Sequence, residues 1–248
     1  MNPSRPHLFG LLAGLFLATG LCFASLVLAR AWTHIHDSQL IEISGSARRN
    51  VRSDLAVWRA SFSTEAPTLL EAQRQLRDNL AAVEAWLTAK DMKDYRAQPV
   101  QIRELIAQQS RKSKGEETTS ERRTGYRLTQ TIVVRSGDVE RLPRLGSEAA
   151  ELIERGITFA SEGFDFIYTP VAEAKIEMMA EATKDARIRA EQIAAQGGRQ
   201  LAGLRNARMG VVQINPLYSS ATSWEGNNDN STLDKTITVT VSAEFALQ

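Results

Sequence analysis

Pro170–Gly198, PVAEAKIEMMAEATKDARIRAEQIAAQGG, is the stretch on which the fold turns. Ala172, Ile176, Met179, Thr183, Ala186, Ala190, Ile193 and Gly197 recur at four and three, which predicts one long helix opened by Pro170 and closed at Gly197-Gly198. The stripe is narrow and built mostly of small residues, so the helix can lie close against a sheet. Glu173, Glu177 and Glu181 are spaced at four, with Lys184, Asp185, Arg187 and Arg189 nearby. Such a carboxylate row can bind a cation or share a proton. Opposite an apolar stripe it reads as the solvated face of an amphipathic helix.

Outward from this helix the period changes to two. Ile157–Tyr168 reads as the strand before it, and Ile237, Val239, Val241, Ala243 and Phe245 alternate with polar residues as the last strand. Upstream, Leu40–Ala47 (LIEISGSA) pairs with a strand in which Leu55 and Val57 oppose Ala56, Trp58, Ala60 and Phe62, so both faces are expected to be covered. Leu69, Ala72, Leu76, Leu80, Val83 and Leu87 then mark a helix from about Pro67 to Ala89. Strands follow around Val100–Ile106 and Tyr126–Val134, separated by Arg111–Gly125, a charged hairpin tip or partly disordered loop. Asp138 caps a further helix carrying Leu142, Leu145, Ala149 and Leu152, ended by Gly156. The order contains a βαββ unit twice, which predicts an α+β fold with helices packed on antiparallel sheet. The last strand, Thr236–Phe245, has no proline and only Glu244 as a charge. At a sheet edge it would invite pairing with a second copy, so homo-oligomerisation is expected; in a central position that argument disappears.

Leu8–Ala29 (LFGLLAGLFLATGLCFASLVLA) is 22 residues without a charge. As a helix it extends about 33 Å, enough to cross a bilayer's hydrocarbon core. A cleavable signal has a shorter apolar region, roughly 7–15 residues, although Ala29-Arg30-Ala31 offers a small-x-small site. Leu21 before Cys22 speaks against a lipoprotein signal. An uncleaved anchor fits the length and puts Trp32 where an interfacial aromatic belongs; a cleaved signal and a buried soluble helix are the alternatives. The expected division is a tail at 1–7, a membrane anchor or signal at 8–29, a linker at 30–37 and one domain at 38–248. Arg5 on one side and Arg30, Arg48 and Arg49 on the other give little charge bias, but a short tail before a long polar domain favours export of the domain. His34 and His36 in the linker read as solvated, because zinc would need further ligands.

The 248 residues carry 30 Lys plus Arg against 29 Asp plus Glu, so no basic surplus points to nucleic acid. Without residues 1–32 only Arg5 and Arg30 leave the count, giving 28 basic against 29 acidic residues. Cys22 is the single cysteine, and His7, His34 and His36 are the three histidines. The main body therefore lacks the residues for most zinc sites, Ser-His-Asp triads and Cys-His pairs. Asn227, Asn228 and Asp229 offer oxygens to calcium, but not at EF-hand spacing, and read as a turn. Gly197-Gly198 follows a helix instead of opening one, so it cradles no phosphate. No catalytic, cofactor-binding or metal-ligating residue is assigned.

With Tyr168-Thr169, Lys175-Ile176-Glu177, Asp185-Ala186-Arg187 and Met209-Gly210-Val211, the chain from Phe166 onward strongly resembles the SIMPL-domain family of bacterial envelope proteins, long catalogued as a domain of unknown function. The resemblance is carried by Tyr168-Thr169, Lys175-Ile176-Glu177, Ala182, Asp185-Ala186-Arg187, Ala190-Glu191, Ala194 and Gly198, then by Met209-Gly210-Val211 with Gln213-Ile214. Ile41-Glu42-Ile43-Ser44-Gly45, Ala72, Asn79 and the Val239–Phe245 strand also match, so the likeness covers about residues 38–247. Ser53-Asp54 departs from the Pro-Asp of many relatives, and Leu201-Ala202-Gly203-Leu204 from a Leu-Gly directly after the helix. The resemblance implies export with a signal peptide or anchor, association with the envelope and with tolerance of oxidative stress, assembly into large oligomers in some members, and no established catalytic residues. The expected function is that of a non-enzymatic protein at the outer face of a bacterial inner membrane, acting through protein–protein contact or self-assembly. Two alternatives stand beside it. A His-free hydrolase would need two converging carboxylates, and a small-ligand or lipid-binding module would need a sizeable apolar pocket.

Overall fold

The computed structural model describes residues 6–36, 40–113 and 116–248, with side chains at 10–30, 40–108 and 121–248. In chain order the elements are α1 (Pro6–His36), β1 (Leu40–Arg52), β2 (Leu55–Ala66), α2 (Leu69–Ala89), β3 (Tyr95–Ala97), β4 (Gln101–Ser113), β5 (Glu116–Ser136), α3 (Arg141–Glu148), α4 (Ala150–Glu154), β6 (Thr158–Ile167), α5 (Val171–Gln196), β7 (Leu201–Met209), β8 (Gln213–Pro216) and β9 (Asp234–Leu247). With helices on antiparallel sheets, the fold is α+β. Helix α1 runs on through residues 30–36, where the sequence suggests a linker. The folded region divides into two compact units, and β1, α5 and β9 each contribute residues to both.

The larger unit comprises Arg48–Met178 and Val211–Thr238. Its five-stranded sheet has the order β3-β5-β2-β6, with β4 also paired to β5. Ala56, Trp58, Ala60 and Phe62 are at most 1% exposed, the alternation of a strand facing a core. The opposite face of β2 is covered only at its start, since Val57 is buried and Arg59 exposed. Trp58 is the centre of this core: its ring stacks on Phe164 at 6.1 Å and meets Trp86 edge-on at 6.5 Å. Its indole N–H donates to the Ser161 hydroxyl at 2.9 Å, which satisfies the one polar atom buried with the ring. Helix α2 is capped by the Thr68 hydroxyl, which accepts from the Glu71 N–H, and it buries Ala72, Leu76, Val83, Trp86 and Leu87. The single helix expected after Asp138 is two short ones, α3 and α4, although Asp138 does accept the N–H groups of Glu140 and Arg141 at its entry. In β6 the register passes from Arg59↔Gly163 to Ala60↔Ser161, leaving Glu162 as the extra residue of a bulge and Gly163 at φ +106°.

The β4–β5 ladder runs from Gln101↔Thr129 to Ser113↔Glu116. Most of the charged stretch Arg111–Gly125, read as a tip or loop, is therefore paired strand; Lys114 and Gly115 lie outside the described residues. A hairpin arm satisfies its backbone groups within itself and needs no apolar pattern to form. Ile102 and Ile106 on β4 are 58% and 54% exposed.

The smaller unit takes residues up to Ala47, then Met179–Gly210 and Val239–Gln248. Its sheet has the order β1-β9-β7, so β9 is central and not an edge, and β1 pairs with β9 instead of with β2, which lies between β5 and β6. The alternation of β9 was legible because it reports a buried face, but alternation says nothing of how many neighbours a strand has. The expected facing of α5 also needs correction. Its buried residues are Ala174, Met178, Ala182, Ala186, Ala190 and Ala194, spaced at four, while Ile176 and Ile193 are 66% and 53% exposed. A row at four is a ridge of the helix surface. The ridge of alanines lets β1 approach closely at Gly45. A Cβ at Gly45 would overlap the Ala182 carbonyl oxygen and the Ala186 amide nitrogen, and would stand 2.7 Å from the Ala186 Cβ. Isoleucine does not fit such a contact, and Ile176 and Ile193 turn outward.

Candidate functional site

Of the carboxylates flagged on α5, Glu177 and Asp185 hold defined partners. Glu177 accepts from Arg49 at 2.6 Å within the larger unit. In the smaller unit the Asp185 carboxylate accepts the Ser46 N–H at 2.9 Å and the Arg189 guanidinium at 2.9 Å. The Ser46 hydrogen bond, aided by Arg189 and opposed by partial burial, holds the Asp185 carboxyl below its usual range. Asp185 thus clamps β1 onto the helix instead of lying on a merely wet face. In the larger unit Glu148 and Glu151 meet at Lys90, 2.8 and 2.9 Å from its Nζ, and the Trp86 indole donates to Glu151 at 3.0 Å. The hydrogen bonds that Lys90 donates to Glu148 and Glu151 raise its pKa, and those that Glu151 accepts from Lys90 and Trp86 lower the Glu151 pKa. Asp54, beside the departure at Ser53, accepts both the N–H and the hydroxyl of Thr169. Burial pushes the Asp54 carboxyl up, and the two Thr169 bonds outweigh it, leaving the pKa lowered. These are ion pairs and turn locks. Among the described residues no group of three His, Cys, Asp or Glu is placed to hold a metal.

The Asn227–Asp229 turn does hold a cation, and the cation is Lys235. Its ammonium donates to the Asp229 carbonyl at 2.6 Å and to the Asp229 carboxylate at 3.1 Å, with the two side chains 1% and 9% exposed. The Asp229 carboxylate also accepts from the hydroxyls of Ser231 and Thr232. Burial raises the Asp229 pKa, but these bonds and Lys235 together drive it far below the usual carboxylate range. Nothing in the sequence marks Lys235 as buried, because a lysine before a strand is ordinarily solvated. In the charged arm Arg122 and Arg123 are exposed, and Arg123 pairs with Glu104 at 3.1 Å and lies over the Tyr126 ring. The side chains of Arg111, Lys112, His34 and His36 lie outside those described.

In the smaller unit, apolar side chains are left uncovered along β7 and α5. Among the described residues strand β7 is paired only to β9, so it is an edge. Leu204 and Met209 on β7 are 50% and 55% exposed, and Ile188 and Ile193 on α5 are 44% and 53% exposed. Between the two elements lies a cavity of about 610 Å³, lined by Ala180, Thr183, Lys184 and Arg187 of α5, by Leu201 and Leu204 of β7 and by Phe245 of β9. The ladder to β9 shifts register between Leu201 and Gly203 and again between Leu204 and Asn206, then runs regularly from Asn206 to Met209. The irregular start of β7 explains why no clean strand period is visible in LAGLRNARM.

Gly10–Arg30 of α1 has mean hydropathy 2.3 and none of it is buried, the length and composition of a membrane anchor or of a signal sequence. Over the folded region, residues 41–245 match the model of the SIMPL family, described as a protein of unknown function, DUF541. No curated protein matches the chain. With the match spanning both ends of the α+β region, from β1 to β9, this chain belongs to the SIMPL family.

Proposed function

We propose that this chain is a non-enzymatic protein of the bacterial envelope, held by α1 at the outer face of the inner membrane and acting through protein–protein contact, foremost with further copies of itself. The observation that supports this reading is the uncovered edge strand β7, on which Leu204 and Met209 are half exposed. An edge strand presents unpaired N–H and C=O groups, and exposed apolar side chains on that edge add apolar burial to such a pairing. Confining copies to one membrane raises their effective concentration, so a weak edge contact suffices. Light scattering on the chain extracted in mild detergent is expected to give an oligomer that Leu204→Lys and Met209→Lys reduce towards the monomer. A monomeric wild type at tens of micromolar would contradict the proposal.

A reporter that folds only in the cytoplasm, fused after Gln248, is expected to be inactive. A mature terminus near Trp32 in mass spectrometry would replace the anchor by a cleaved signal. The role in oxidative-stress tolerance is tested by comparing peroxide survival of a deletion strain with that of the same strain carrying Leu204→Lys. The 610 Å³ cavity favours, as a second reading, the binding of a small amphiphile, since its volume is that of ligand pockets and Lys184 and Arg187 line it beside Leu201 and Leu204. Native mass spectrometry showing a co-purified lipid would support that reading.

A further inference from the structure

The loop between β8 and β9, in the larger unit, exposes two aromatic rings that nothing in the proposed assembly uses. Tyr218 and Trp224 are 86% and 84% exposed, more than the most exposed apolar side chain of α1, Phe16 at 77%. Tyr218 also has φ +67°. The Ser219 N–H donates to the Pro216 carbonyl at 3.0 Å, closing a turn whose third residue is Tyr218. A positive φ at that turn position is normally supplied by glycine or asparagine, and a bulky side chain there is strained. Burial of the ring does not offset this strain.

The loop is nevertheless held in one shape. Gln213, 8% exposed, accepts the N–H groups of Ser223 and Asn227 at 3.2 and 3.0 Å and donates to the Ser223 carbonyl at 2.7 Å. Asn215, 4% exposed, donates to the Ala221 carbonyl at 2.7 Å and accepts from the Asn227 amide at 2.9 Å. A strained, exposed tyrosine on a rigid frame has the economy of a preorganised binding surface, because little ordering entropy is left to lose on contact. Beside Tyr218 lies a cavity of about 340 Å³ whose other lining residues are Arg48 and Asn50, with no carboxylate among them. Asn50 accepts from the Thr236 hydroxyl at 3.0 Å through its carbonyl oxygen, which fixes the amide and leaves its NH2 group as the donor.

We propose that this loop is a binding site for a carboxylated saccharide. The flat faces of Tyr218 and Trp224 suit the apolar C–H faces of sugar rings, and a ring with one apolar body and polar edges matches both. The Asn50 amide suits a hydroxyl or acetamido group, and the Arg48 guanidinium suits a carboxylate by paired hydrogen bonds. The stretch around the rings, SSATSWEGNNDNS, is rich in Ser, Thr and Asn, and aromatic anchors in such a frame are the composition of adaptable recognition loops. A purely apolar protein partner would call for a continuous apolar patch instead.

The test is calorimetric titration of the full chain, in a detergent without a sugar headgroup, with N-acetylglucosaminyl-N-acetylmuramic acid and with its neutral counterpart N,N′-diacetylchitobiose. The acidic disaccharide is expected to bind more tightly. Tyr218→Ala and Trp224→Ala should each weaken binding of both sugars about tenfold or more, and Arg48→Gln should erase only the preference for the acid. Tyr218→Gly should lose binding while raising the thermal midpoint, which separates lost contact from lost fold. Binding of neither sugar, equal binding of both, or unchanged binding by the aromatic variants would overturn the assignment. Quenching of Trp224 fluorescence by brominated lipid in proteoliposomes, taken as the difference from Trp224→Phe and without saccharide binding, would overturn it in favour of membrane contact.

Discussion

Replacing Gly45 by alanine tests how α5 is seated on β1. The added methyl would overlap the Ala182 carbonyl oxygen and the Ala186 amide nitrogen, both backbone atoms of the helix, and reach within 2.7 Å of the Ala186 Cβ. A flexible side chain could swing aside, but a helix backbone held by the Asp185–Ser46 bond moves only as a unit. Overpacking of a well-filled contact costs about 1–3 kcal/mol, and an overlap with backbone belongs at the upper end. Alanine recovers about 0.5–1 kcal/mol of that by restricting the unfolded chain. The net expectation is a loss of about 2 kcal/mol, or about 4–8 °C in thermal midpoint for a folded region of this size. Thermal unfolding followed by far-UV circular dichroism reads it directly. Adding Ala186→Gly removes one of the three close atoms and leaves the two backbone ones, so it should restore little. A Gly45→Ala chain as stable as the wild type, or one fully rescued by Ala186→Gly, would refute the seating of α5 described above.

Ala186→Leu, on the buried ridge, is expected to cost about 1–3 kcal/mol, against about 0.5 kcal/mol or less for Glu181→Ala on the exposed face, both read by the same melt. The Ser53 hydroxyl is buried without a hydrogen-bond partner among the described residues. Ser53→Ala should therefore stabilise by about 1 kcal/mol, and a destabilised variant would show that the hydroxyl has found a partner. Asp229→Asn leaves the Lys235 ammonium buried opposite a neutral amide, an expected loss of about 3–5 kcal/mol in denaturant titration at neutral pH. Because the folded-state pKa of Asp229 is lowered, its contribution is complete above the unfolded value of about 3.9 and is lost as pH falls through the folded one. Stability of the wild type should thus drop more steeply below about pH 4 than that of Asp229→Asn.

Much of the architecture was legible because burial writes a period into sequence. Ala56, Trp58, Ala60 and Phe62 gave β2, the spacing of Ala72, Leu76, Val83 and Leu87 gave α2, and the Ile237–Phe245 alternation gave β9. What periodicity cannot convey is which neighbour covers a face. The facing of α5 differs from expectation because Ile176 and Ile193 fall in one helical stripe with Ala186 and Ala190, whereas the deciding quantity is side-chain size against Gly45. The central place of β9 depends on β7, whose register shifts blur any strand signal. The charged arm of β4 and β5 is strand because its backbone pairs with itself, whatever its side chains. The Tyr218 turn was hidden for another reason: a tyrosine at a glycine position is visible only once φ is known.

In the proposed assembly copies of this chain meet through β7 while held in a membrane. The most direct measurement is site-specific crosslinking in intact envelopes, which the single native cysteine makes simple. In a Cys22→Ser background, Leu204→Cys and Met209→Cys would be treated with a short bis-maleimide, with Asp78→Cys on α2, 75% exposed, as the control. Covalent dimers are expected from both β7 positions and none from Asp78→Cys. Absence of dimers at β7, or an equal yield from the control, would contradict it.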